Sequence, residues 1–273
     1  MNIKDQEALD LSRSRKLNDF SALAGFQHVK QLWVSYTGIS DLAPLAEMPS
    51  LEFLDIGHTA VADLSPLVKL PNLKTLWLHD TSVTDLAPIA HCETLEDLFM
   101  VGTAIEDFDP LTNLTLLKRL RASYIRVRDI SALRGKTQLQ RLELGGAPIT
   151  DFSPLSTLTA LQMLVLHFTD FADIDLLDGL HTMRNINLAR TEITRIEPLS
   201  KMPELWSVDL KGTAVTDFSP LVGLPNLRQL YVGEPLSKEQ YGATDSIPIT
   251  ELGLNWRRFE GVEEVQAFVS RSG

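Results

Sequence analysis

Along most of the chain the apolar residues fall on a grid. From Val29 a run of apolar-x-x-apolar-x-apolar recurs, starting again at Leu51, Leu73, Leu95, Leu117, Leu139, Leu161, Met183, Leu205 and Leu227, each start 22 residues after the last. Within a copy the first, fourth and sixth residues are apolar (Leu51, Leu54, Ile56), as are the eleventh, fourteenth and seventeenth (Val61, Leu64, Leu67). A fixed period of this size predicts stacked coils, each burying its apolar side against the next. The first half of each copy predicts a short strand, so the residues between its leucines, such as Glu52, Phe53, Asp55 and Gly57, point away from the core. In the second half, Asp63-Leu64-Ser65-Pro66-Leu67 sets a capping carboxylate ahead of a proline suited to the first turn of a short helix. That Asp returns at 41, 85, 107, 129, 151, 173 and 217, with Arg195 the exception. The column lacks the dense acidic, glycine-rich loops of calcium sites and reads as a row of caps.

Nine full copies span 29–226. Residues 6–28 read as a degenerate N-terminal cap repeat, since Asp19-Phe20-Ser21-Ala22-Leu23 falls in register with Asp41-Leu42-Ala43-Pro44-Leu45. Leu230 and Val232 complete a last strand within 227–235. The remaining 236–273 is expected to be a C-terminal cap, with an irregular turn-rich loop over 236–250 and a short amphipathic helix from Glu260 to Ser270. That helix would lay Val262, Val265, Phe268 and Val269 over the final coil, helped by Trp256 and Phe259. One domain, 1–273, is expected.

The L-x-x-L-x-L opening resembles that of the leucine-rich repeats, and the I-x-D-L-x-P-L second half is similar to the 22-residue, internalin-like subclass. The resemblance covers about 6–235 and implies an α/β fold: a right-handed solenoid with a parallel sheet on its concave side and short 3₁₀ or extended segments on its convex side. One departure is systematic. The asparagine that the family carries at the ninth position is here Thr37, Thr59, Thr81, Thr103, Thr169, Thr191 and Thr213, whose hydroxyls still reach the backbone of the turn but offer fewer bonds than an amide.

Charge narrows the choice of partner. With 36 acidic and 25 basic residues the formal charge is −11, which opposes general binding to nucleic acid or to anionic membrane. The fifth copy runs against this trend. Residues 117–141 hold Lys118, Arg119, Arg121, Arg126, Arg128, Arg134, Lys136 and Arg141 against the single acid Asp129, and Lys136 takes a position that is apolar in the other copies, so the convex side is expected to reorganise there. This basic island is read either as a solvated face or as a docking point for carboxylate or phosphate. The lone Cys92 occupies a core position, which excludes an internal disulfide framework. No apolar run is long enough to span a membrane and the first residues are charged, so a cytoplasmic location is expected. The chain has no phosphate-binding loop, dinucleotide fingerprint or zinc-type Cys/His spacing, so no cofactor is expected.

The face opposite the core carries the candidate function. Trp33, Tyr36, Phe53, Trp77 and Phe99 fall on neighbouring strands, followed by Arg119, Arg121, Tyr124, Arg141 and Phe168, and large aromatics with arginine are the types that dominate binding hot spots. Met163, Val165, His167, Trp206 and Tyr231 continue the row. This predicts a non-enzymatic module that holds a protein partner on its concave face and is monomeric outside that complex; the resemblance admits an inhibitor, immunity or regulatory protein. A metal-dependent enzyme with a site near Asp55, His58, His79 and Asp80 is the alternative, and a purely structural spacer, its rings merely covering the sheet, is a third.

Overall fold

The computed structural model describes residues 6–14, 16–17, 19–233, 251–254 and 257–260. The chain packs as two compact units, Met1–Leu139 and Gln140–Gly273, built from the same kind of coil.

In the first unit the strands are β1 (Ala8–Asp10), β2 (Gln31–Trp33), β3 (Phe53–Asp55), β4 (Thr75–Trp77), β5 (Asp97–Phe99) and β6 (Arg119–Arg121). They pair in chain order and every pair is parallel. Partners from β2 onward are one period apart, as in Leu54↔Leu76. β1 is offset by one more residue, Leu9↔Leu32, so the cap repeat joins the sheet with its strand shifted relative to its Asp19 turn. The central leucines Leu32, Leu54, Leu76, Leu98 and Leu120 are fully buried.

Strands β2 to β5 are each closed by threonine. Thr37, Thr59, Thr81 and Thr103 donate their hydroxyls to the carbonyl three residues earlier at 2.6–2.8 Å, satisfying a carbonyl that the strand's end leaves over. The return half of each coil is a short 3₁₀ turn, with proline near its start at Pro44, Pro66, Pro88 and Pro110. The Asp column holds these turns from one position further out than a helix cap. Asp41, Asp63, Asp85, Asp107 and Asp129 each accept the backbone N–H two residues ahead, the first residue of the turn, while the residue flanking the turn is Leu42, Leu64, Leu86, Phe108 or Ile130.

The fifth copy keeps the coil despite its lysine. Lys136 is 5% exposed, and its ammonium donates to the carbonyls of Thr112 and Leu114 at 3.1 Å each. The 3₁₀ turn there is cut to Ser131–Leu133, while Ile130 and Leu133 stay in the core. Cys92, at the same position two coils earlier, is a buried thiol pushed up to about 11 by desolvation.

In the second unit β7 (Arg141–Glu143), β8 (Met163–Val165), β9 (Asn185–Asn187), β10 (Ser207–Asp209) and β11 (Gln229–Val232) repeat the arrangement, and Thr169, Thr191 and Thr213 make the same hydroxyl bonds. The C-terminal reading needs correction. β12 (Glu251–Leu254) adds parallel to β11, and β13 (Arg257–Glu260) turns back antiparallel on β12. The sequence reading had neither strand, because the 22-residue pattern stops before them. Glu260, taken as the start of a helix, ends a strand; the loop at 236–250, Trp256 and the rest of the helix at 261–270 lie outside the described residues.

Two measurements check this account. Thr59→Val keeps the shape but withholds the donor from the Ile56 carbonyl, and urea unfolding is expected to show a loss of about 1 kcal/mol. Burial pushes the Lys136 ammonium below its ordinary 10.5, so between the folded and unfolded values the unfolded chain binds more protons and stability rises with pH. Methionine lacks this dependence. The stability gap, Lys136→Met minus wild type, should therefore shrink as pH rises from 7 toward 10.5, and a widening gap contradicts the buried charge.

Candidate binding face

On the first unit the odd positions of the strands bring rings together, coil by coil. Trp33 on β2 lies 4.8 Å from Phe53 on β3, centroid to centroid; Phe53 is 5.0 Å from Trp77 on β4, and Trp77 is 6.3 Å from Phe99 on β5. A second row runs beside it in the turns that leave the strands. Tyr36 stacks on His58 at 4.1 Å, His58 meets His79 edge-on at 4.9 Å, and His79 stacks on Phe99 at 4.4 Å. The two rows therefore converge on Phe99. An arginine closes each end: Arg121 on β6 sits 4.0 Å over Phe99 and 5.6 Å from Trp77, and Arg13 sits 5.5 Å over Tyr36. Offset and edge contacts of this kind suit the ring quadrupole, and a cation over a ring face adds to them.

The backbone that carries the second row is itself unusual. Arg13, Tyr36, His58, Asp80 and Tyr124 in this unit, and Phe168 and Arg190 in the other, have positive φ between 51° and 61°, in register with the positive-φ glycines Gly102, Gly146 and Gly212. Their N–H groups continue the ladder to the next coil, and the positive φ turns the chain away directly after them: Tyr36 donates to the Gly57 carbonyl at 3.1 Å, His58 to that of His79 at 2.9 Å and Asp80 to that of Val101 at 3.0 Å. Glycine does this without strain, whereas an L side chain costs about 1–2 kcal/mol. Bulky residues at such turns hold a strain that the surrounding stacked coils must support. The sequence reading missed this column as a set; the signal was the glycines at 102, 146 and 212, which share one register with Tyr36 and Phe168.

His79 owes its place to a missing side chain, for a Cβ on Gly57 would stand 2.2 Å from its ring. Desolvation pushes its imidazole below the ordinary value, against the pull of Asp55. Among the described residues, the buried Trp77 Nε1 and His79 Nδ1 have no hydrogen-bond partner, and neither does Asp97 Oδ1. Buried polar atoms in that state are costly and mark places where a ligand or water completes the structure. The four residues weighed as a metal site do not gather: His58 Nε2 is 3.5 Å from Asp80 Oδ2, but Asp55 is taken by the Gly57 N–H and His79 lies on Phe99. Among the described residues no three His, Cys, Asp or Glu side chains come together to hold a metal ion.

Much of the basic island is neutralised in place. Lys118 pairs with Glu96 and Arg119 with Asp97, both at 2.8 Å, and Arg126 with Glu106 at 3.6 Å. Lys30–Glu7 and Lys74–Glu52 continue the row to which Lys118–Glu96 belongs, at 2.8 and 2.7 Å. Arg119 is thus an exposed residue already committed to a carboxylate, and Tyr124 projects from its turn with 57% of its surface exposed.

In the second unit Arg141 pairs with Glu143. Phe168 is exposed and walls a pocket of about 390 Å³, formed with His167, Asn187, Ala189, Arg190, Asp209, Lys211 and Gly212. The Arg190 guanidinium lies 4.9 Å from the Phe168 ring, and Lys211 Nζ lies 4.5 Å from that of Tyr231. The predicted site residues therefore divide, with Trp33, Tyr36, Phe53, Trp77, Phe99 and Arg121 brought into one cluster, while Arg141 and Phe168 stand in the other unit.

A family model described as Leucine Rich repeats (2 copies) matches residues 49–91. Among curated proteins no sequence matches the chain significantly. Among solved structures, an internalin (inlF) from Listeria monocytogenes is similar with a TM-score of 0.77 and 27% identity, over 84% of this chain and 68% of that one. Internalin C2 from the same organism gives 0.55 and 25%, over 77% of this chain and 83% of its own. A leucine-rich-repeat protein of Leptospira interrogans gives 0.77 at 18% identity, over 86% of this chain and 62% of its own, a likeness of fold.

If the left-handed column is kept for its side chains, glycine there should stabilise. Tyr124→Gly is expected to raise the unfolding free energy by about 1 kcal/mol, read from the urea midpoint; a loss of stability would mean that the tyrosine is structural.

Proposed function

We propose that this chain, a leucine-rich-repeat protein whose 22-residue units are of the internalin-like kind, is a non-enzymatic interaction module that grips a protein partner on the exposed face of its sheet, the concave side of the solenoid. The observation that carries the reading is the converging pair of ring rows on the first unit, ended by Arg13 and Arg121. Half-buried rings on contiguous strands offer rigid apolar contact at small entropic cost, and a ring-held guanidinium at the edge supplies direction to a carboxylate or carbonyl. The partnerless Trp77 Nε1 supports the same reading. The paired charges around the cluster would form a rim that contributes register more than affinity. Within this proposal the module serves as a cytoplasmic inhibitor, immunity or regulatory protein, in keeping with its acidic balance and its buried, unpaired Cys92. Among the described residues no helix is long and apolar enough to cross a membrane.

The test is affinity capture of the partner from the native host, its identification, and then measured binding to Trp77→Ala and Arg121→Glu, with circular dichroism confirming that each variant keeps the fold. Each is expected to weaken binding by about 2 kcal/mol or more, roughly thirty-fold. Unchanged affinity in both folded variants overturns the assignment and favours rings that only cover the sheet.

A further inference from the structure

We propose that the pocket of the second unit is a carboxylate site that takes a glutamate or aspartate side chain of an acidic protein segment, with Arg190 and Lys211 as its cationic jaws and Phe168 as its wall. This names the chemistry of one stretch of partner and rests on the reading of the chain as a protein-interaction module.

The state of the cations carries the inference. Elsewhere on the protein Lys30, Lys74, Lys118, Arg119, Arg126, Arg141, Arg195 and Lys201 each lie against a carboxylate. Among the described residues Arg190 and Lys211 have no such close ion pair, Lys211 acting on Asp209 only at longer range, in a chain whose net charge is −11. Both are nevertheless held in place, Arg190 by Phe168 and Lys211 by Tyr231, so little side-chain entropy remains to be lost when an anion arrives. Two glycines make the resting places. A Cβ on Gly212 would meet Arg190 Cγ at 2.9 Å, and one on Gly253 would meet the Tyr231 ring at 2.1 Å.

The rest of the pocket selects the kind of anion. At about 390 Å³ it has room for a side chain. Asp209 also lines it; its Oδ1 accepts the Lys211 backbone N–H at 3.0 Å and its carboxyl is pushed upward by burial, partly offset by that N–H and by the Lys211 charge. That carboxylate repels a second negative charge beside it and leaves the Arg190 and Lys211 head groups as the favourable place. It also penalises a phosphate dianion more than a single carboxylate. Asn187 Oδ1 accepts the Ala189 N–H at 3.0 Å, which turns its NH2 to serve as a donor. Burial pushes the His167 imidazole downward, so it adds no fixed charge at neutral pH.

The experiment titrates the full-length, ¹⁵N-labelled protein with three probes: an end-blocked tri-glutamate peptide, the matching tri-glutamine peptide and inorganic phosphate. Tri-glutamate is expected to shift the amide signals of 187–190 and 209–212 and tri-glutamine to leave them in place, with binding weakened about five-fold or more in Arg190→Gln and in Lys211→Gln. Equal binding of tri-glutamine, phosphate shifts as large as those of tri-glutamate, or full binding by both pocket variants overturns the proposal. The two readings fail separately. Partner capture lost in Trp77→Ala with no tri-glutamate binding removes the pocket and keeps the interaction face; tri-glutamate binding with capture indifferent to Trp77→Ala does the reverse.

Discussion

Parallel pairing at a fixed offset governs everything else in both units. A paired strand lies roughly 4.8 Å away, so side chains one period apart have no freedom to avoid one another, and each column of the repeat must be chemically tolerable as a stack. Apolar columns become core, with Leu54 on Leu76. The second column answers with alternating sign, Lys30, Glu52, Lys74, Glu96 and Lys118, which gives the ion pairs Lys74–Glu52 and Lys118–Glu96; a run of like charges there would repel. Aromatics on the exposed columns stack for the same reason, and the ring rows are a consequence of register rather than of local folding preference.

The same pairing explains how strain is tolerated in the turns. The bond from Tyr36 N–H to the Gly57 carbonyl, and its counterparts at His58 and Asp80, occurs at residues in the left-handed conformation, where the chain leaves the strand. Each such bond sits in a repeated ladder supported by the buried leucines on one side and the threonine hydroxyl on the other. Stability from the core thus supports a conformation that places Tyr36, His58 and Phe168 outward, where they stay partly exposed. Glycine takes the same position without strain at Gly102, Gly146 and Gly212.

How much of this was legible beforehand follows the range of each interaction. The strands, the 3₁₀ turns and the cluster of Trp33, Phe53, Trp77 and Phe99 follow from period and alternation, both of which are written in the sequence. The second row was legible only in pieces, Tyr36 and Phe99 on the predicted face and His58 with His79 in the metal alternative, because what joins them is a backbone conformation in the turns that the pattern does not write. Nor was the fate of the basic island: eight cations cluster in sequence, yet Arg119 and Lys118 meet acids 22 residues earlier, where the sequence shows only an acidic stretch of the preceding copy. Strands β12 and β13 were missed because they lie beyond the last copy of the pattern.

Two of the ways in which this protein holds its exposed cations differ, and the difference bears on recognition. A lysine or arginine paired with a carboxylate, such as Lys74 or Arg119, is electrically closed: a partner's acid must displace the internal one and pays for its desolvation. A cation resting on a ring is held by a weaker attraction, about 0.5–1 kcal/mol when exposed, which fixes its position without cancelling its charge. Arg190 on Phe168 and Lys211 on Tyr231 are of this second kind. In an acidic chain rich in carboxylates, keeping them on rings preserves local positive potential that random surface charge would quench, and glycine at 212 and 253 is the structural means by which the sequence keeps it.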